Sequence, residues 1–133
     1  MMKILRINRK RWLRGSKSKK CDSTLYAGRS MDKGCCLGHL CHFIYGVPWS
    51  KLKDKSFPRD LSPEDCSHEL AIFLSENPYF QYKASSINDI HIGGYCYQID
   101  DTIYGSKVPS EMKRESLLKK LFKKVGIKLE FYN

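Results

Sequence analysis

Residues 110–131 constrain the fold more tightly than any other stretch of the chain. Ser110 is placed to cap a helix running to about Val125, with Leu117, Leu118, Leu121, Phe122 and Val125 on one arc at about 100° per residue. Lys113, Lys119, Lys120, Lys123 and Lys124 fill the opposite arc. Gly126 then supplies a C-terminal stop, and Ile127, Leu129 and Phe131 alternate with Lys128, Glu130 and Tyr132 as a half-buried strand does. A one-sided helix joined through one glycine to a one-sided strand calls for a sheet with helices packed on it.

The rest of the chain fits that demand. Lys3 to Ile7 reads as a second strand, Leu25-Tyr26 before Gly28 as one arm of a small hairpin, and Gly15 to Ser23 as a basic loop. From Cys35 the period changes: Cys36, Leu40 and Phe43, flanked by Leu37 and Ile44, form one face of a helix that Gly46 and Pro48 would end. After a loop over 46–61, Ser62-Pro63-Glu64-Asp65 has the composition of a helix start, and Asn77-Pro78 that of its stop. Residues 79–107 read as irregular or strand-rich, with a turn at Gly93-Gly94 and a strand over Tyr95 to Ile99. The expected architecture is a single α+β domain over 1–133: a small mixed or antiparallel sheet containing both terminal strands, with two or three helices on one face. At 133 residues such a domain can bury a core without obligatory staples.

Charge is distributed unevenly. Residues 1–20 carry nine basic side chains and no acidic one, in a chain whose net charge is +10. That asymmetry favours anionic partners such as nucleotides, nucleic acid or acidic protein surfaces. Arg9, Lys10, Arg11, Arg14 and Lys17, interleaved with Trp12, are the candidate ligand-binding residues, with the cations on phosphates and the indole on a base. No apolar run of signal-peptide length follows the basic start, and no segment reaches membrane-spanning length. A cytoplasmic protein with no membrane association is therefore expected, its six cysteines reduced and free of a disulfide framework.

Three of those cysteines and two of the four histidines lie in Gly34-Cys35-Cys36-Leu37-Gly38-His39-Leu40-Cys41-His42. On a helix, Cys35, His39 and His42 project within about 60° of one another, which would suit zinc with Cys66, His68, His91 or Cys96 as a fourth ligand. A thiol at a helix N-terminus can also be a nucleophile, with Cys35 or Cys36 beside a histidine base. Against both, no paired Cys-x-x-Cys is present, and a small-residue helix start packed into a core explains the same residues. Neither a metal nor another cofactor is expected. Asn88-Asp89 and Asp100-Asp101 are read as turn chemistry, since adjacent acids on an extended segment point to opposite sides.

Trp12-Leu13-Arg14-Gly15, Cys35-Cys36-Leu37-Gly38, Asn88-Asp89 and Gly126-Ile127-Lys128-Leu129-Glu130-Phe131 together resemble a family of small proteins encoded by tailed bacteriophages and prophages. Two positions depart from that pattern: Gly34 stands where methionine is usual, and His39 where an aromatic is. The resemblance covers both ends and the centre but not 46–84. It implies a phage origin and an ancillary, non-enzymatic role in host takeover or anti-defence, with a host protein or an anionic ligand as partner. The other function class is a zinc-dependent or cysteine-nucleophile enzyme centred on residues 35–42.

Overall fold

The computed structural model describes residues 2–17, 19–21, 24–28, 32–96 and 107–133. Strand β1 (Lys3–Asn8) pairs with strand β2 (Ile127–Tyr132), so the expected sheet does contain both terminal strands. Their pairing is parallel, Leu5 opposite Leu129 and Ile7 opposite Phe131, whereas a mixed or antiparallel sheet was expected. A period of two reports which face is buried but not the direction of the neighbouring strand. Leu5, Ile7, Ile127 and Leu129 face the core, leaving Ile4 and Arg6 on the outer side.

Helices α1 (Cys36–His39) and α5 (Glu111–Lys124) pack against the strands, α4 (Phe80–Asp89) packs on both of these helices, and α2 (Trp49–Leu52) and α3 (His68–Glu76) are the other α-helices among the described residues. The α+β class stands. Helix α5 is the one the sequence marked most clearly: the Ser110 hydroxyl accepts from Lys113 N at 3.1 Å, and Gly126 turns the chain into β2 at φ +83°. Its Leu118 and Phe122 are fully buried, and Phe122 meets Phe80 of α4 edge-on at 5.0 Å.

Several local expectations are corrected. α1 continues into a π turn (Leu40–Ile44), whose extra residue per turn brings Cys41 inside and leaves Phe43 59% exposed, away from the face assigned to it with Cys36 and Leu40. Gly46, at φ +71°, and the bond from Val47 N to Cys41 O then close that segment. α3 begins five residues later than Ser62 suggests: the Ser62 hydroxyl donates to Asp65, closing a single turn, and Ser67 caps the helix through Leu70 N. Helix α4 occupies part of the stretch read as irregular or strand-rich. Tyr26 forms an isolated bridge to Lys53 in place of a hairpin, and Tyr95 a bridge to Lys107. Residues 97–99 of the expected strand, and Asp100-Asp101, lie outside the described residues.

Candidate functional site

Three of the sequence motifs meet at Asn88, near the end of α4. Its side-chain oxygen accepts the indole N–H of Trp12 at 2.7 Å and the backbone N–H of Cys36 at 3.2 Å, while its Nδ2 donates to Leu13 O and to Asp89. Its backbone oxygen receives Gly15 N and the guanidinium of Arg114. Arg114 is fully buried and also donates to the carbonyls of Gly15, Ile87 and Ile90, capping the C-terminal end of α4. Asn88-Asp89 is thus a structural joint at a helix end and not a turn. Gly38 completes this packing: a Cβ there would stand 1.8 Å from Leu25 O, so the backbone of Leu25 crosses where only glycine fits.

The basic residues divide into two groups. Arg9 holds Glu115 of α5 through two bonds of 2.8 Å, and Arg14 holds Glu111 at 2.8 Å while its guanidinium lies 4.3 Å from the Trp12 ring. Both fasten the start of the chain to α5. Trp12 is 1% exposed, packed 4.5 Å from Phe131, so the stacking face expected of it is already covered. Lys10, Arg11 and Lys17 are exposed, and Arg11 stands 3.6 Å from Asp32.

The cysteine and histidine segment is a packed one. Burial pushes the Cys35 thiol up to about 12 and also raises those of Cys36 and Cys41 well above the usual thiol range, overriding any gain from the start of α1. These thiols stay protonated. His39 and His42 each place Nδ1 on a backbone oxygen, Cys35 O at 3.0 Å and Val47 O at 2.9 Å. Among the described residues no three His, Cys, Asp or Glu side chains gather as a metal would need, so the Cys35, His39 and His42 set does not assemble.

Arg11 and His39, one from each constellation, line the same cleft. It has a volume of about 200 Å³ and is bounded by Arg6 and Asn8 of β1, Phe43 of the π turn, Trp49 of α2 and Tyr132 of β2. Trp49 organises its aromatic wall: His42 stacks on the indole at 4.3 Å, Phe43 meets it edge-on at 5.9 Å, and Tyr26 lies 5.1 Å away. The Tyr26 hydroxyl donates to Asp32, the carboxylate that Arg11 faces. Burial drives the His39 pKa down to about 4, so the ring is neutral at pH 7. Because a carbonyl only accepts, its single proton sits on Nδ1, leaving Nε2 as an acceptor. A larger cleft of about 400 Å³ beside β2 offers Lys119, Lys123 and Lys128 but no aromatic ring.

No family model, curated protein or solved structure matches the chain.

Of the residues around the smaller cleft, only Arg11 stood among the expected ligand-binding set. Arg6, Asn8, Phe43, Trp49 and Tyr132 come from four separate segments, and no spacing in the sequence joins them. The polarity of Arg6 and Asn8 at outward positions of β1 was the one available signal.

Proposed function

We propose that this chain is a non-enzymatic accessory protein of a bacteriophage or prophage that captures an anionic ligand of nucleotide type in the host cytoplasm. The phage origin and the role in host takeover or anti-defence rest on the motif resemblance. The ligand class rests on one observation above all: Arg6 and Arg11 share a cleft with the aromatic wall of Phe43 and Trp49. Cations next to π faces suit a phosphate joined to a base. Exposed Lys10 and Lys17 add long-range attraction for such a ligand. The geometry favours this over the blocking of a host protein, which would call for a broader apolar surface. The deep burial and raised pKa of Cys35, Cys36 and Cys41 argue against thiol catalysis.

Fluorescence anisotropy with labelled ATP and with a labelled single-stranded DNA oligonucleotide tests the reading. Binding should weaken as salt rises, and Lys10→Ala with Lys17→Ala should reduce the slope of that dependence. Arg9 and Arg14 are unsuitable for this purpose because their loss would detach the chain start from α5. Failure of both probes to bind at low salt would remove the proposal.

A further inference from the structure

We infer that the cleft between β1, the π turn and α2 is a pocket for one nucleobase of a nucleoside monophosphate, and that it selects bases carrying an in-plane N–H donor. The inference rests on the anionic-ligand reading above and specifies the other end of that ligand.

His39 supplies the selectivity. The ring is 2% exposed, lines the cleft, and among the described residues makes its one hydrogen bond through Nδ1. Its Nε2 lone pair therefore calls for a donor from the occupant. An aromatic anion without such a donor, a phosphotyrosine for example, would dehydrate this nitrogen and leave it unsatisfied, a loss of about 1–3 kcal/mol. A base with an amino or imino N–H satisfies it.

Phe43 supplies the stacking face. It is a large ring 59% exposed, held edge-on to Trp49, and a base laid on such a ring gains about 1–3 kcal/mol. Arg6 and Arg11 supply the phosphate contact. Their present partners, Glu130 at 2.9 Å and Asp32 at 3.6 Å, form exposed ion pairs of the sort that contribute about 0–1 kcal/mol, so a phosphate can replace them. The volume of about 200 Å³ lies below that of drug-sized pockets, which limits the occupant to one ring system with its charged tail at the rim.

Titration of the protein with AMP, GMP, purine riboside 5′-monophosphate and ribose 5-phosphate, followed by calorimetry and by Trp49 fluorescence, separates the possibilities. AMP and GMP should bind roughly tenfold or more tightly than purine riboside 5′-monophosphate, whose base has no N–H. Phe43→Ala, at an exposed ring, should weaken AMP and GMP by about 5-fold to 100-fold while leaving the fold intact. Glu130→Gln should tighten every phosphate-bearing ligand a few-fold by freeing Arg6, a gain that a purely structural role for this ion pair would not produce. Equal affinity for ribose 5-phosphate and the nucleotides would overturn the base pocket while leaving anionic-ligand capture standing. Absence of binding by all four would also overturn the pocket, and the oligonucleotide experiment with Lys10 and Lys17 would then decide the wider reading by itself.

Discussion

The indole N–H of Trp12 reaches the side-chain oxygen of Asn88 at 2.7 Å, joining residues 76 positions apart in sequence. That bond connects the segment leaving β1 to the end of α4, and the same oxygen receives Cys36 N at the start of α1. Three segments therefore take their relative positions from one amide. The cleft depends on this arrangement, because Arg11 immediately precedes Trp12 and His39 lies one turn after Cys36.

Replacing that amide should be among the costliest single changes in the chain. Asn88→Ala strands the Trp12 and Cys36 donors and the Leu13 carbonyl in a buried site, with an expected loss of about 3–4 kcal/mol. Trp12→Phe removes one donor and some packing, for about 1–2 kcal/mol. The double variant should lose less than the two single losses together, because both remove the same bond. Urea unfolding of the four proteins measures this coupling, and simple additivity would show that the bond contributes nothing.

Arg114 should tolerate neither lysine nor methionine. Its guanidinium serves the carbonyls of Gly15, Ile87, Asn88 and Ile90 at once, and an ammonium cannot span them from one point. Arg114→Lys should cost about 3 kcal/mol and Arg114→Met more, since the carbonyls then stay dry and unpaired. Hydrogen exchange should report the loss first at the C-terminal turn of α4. A cost under about 1 kcal/mol would mean that water reaches those carbonyls in the variant.

The thiols should sort by burial rather than by nearness to a helix start. Cys21 and Cys66 are half-buried, while Cys35, Cys36, Cys41 and Cys96 are buried. Iodoacetamide at pH 8, mapped by peptide mass spectrometry, should modify the first two in the native protein and the other four only as the chain unfolds. Native labelling of Cys35 or Cys36 as fast as that of Cys21 would revive cysteine chemistry at the segment.

Where periodicity alone decides structure, the sequence was readable. Helix α5 and strand β2 are one-sided in pattern and form as their patterns imply, while β1 was legible from its β-branched residues, with Ile4 facing outward beside buried Leu5. Helix α4 was hidden because its buried side carries Gln81, Ser85, Asn88 and Asp89 beside Phe80, Ala84 and Ile87. Such polar residues go inside only when distant partners satisfy them, and those partners cannot be seen from within the helix. Phe43 was misplaced for another reason: one π turn rotates everything after it. The cleft collects side chains from both strands, a turn, the π turn and α2, so only the tertiary fold assembles it.

His39 should make the protein sensitive to mild acid. Burial lowers its pKa from 6.5 to about 4, so below pH 6.5 the unfolded chain takes up a proton that the folded chain refuses. The stability involved is fully present above pH 6.5 and is lost as the pH falls toward 4, to a total of roughly 3 kcal/mol. His39→Phe removes the titrating group and keeps a ring against Trp49. Its denaturation midpoint should therefore fall less than that of the native sequence between pH 7 and pH 4.5. In the folded protein the ring takes up its proton only as the pH nears 4, where Nε2 turns from acceptor into donor, so binding of a base through its N–H should hold down to about that pH and weaken there. Parallel pH profiles for the two proteins would mean that the histidine titrates as freely when folded as when unfolded.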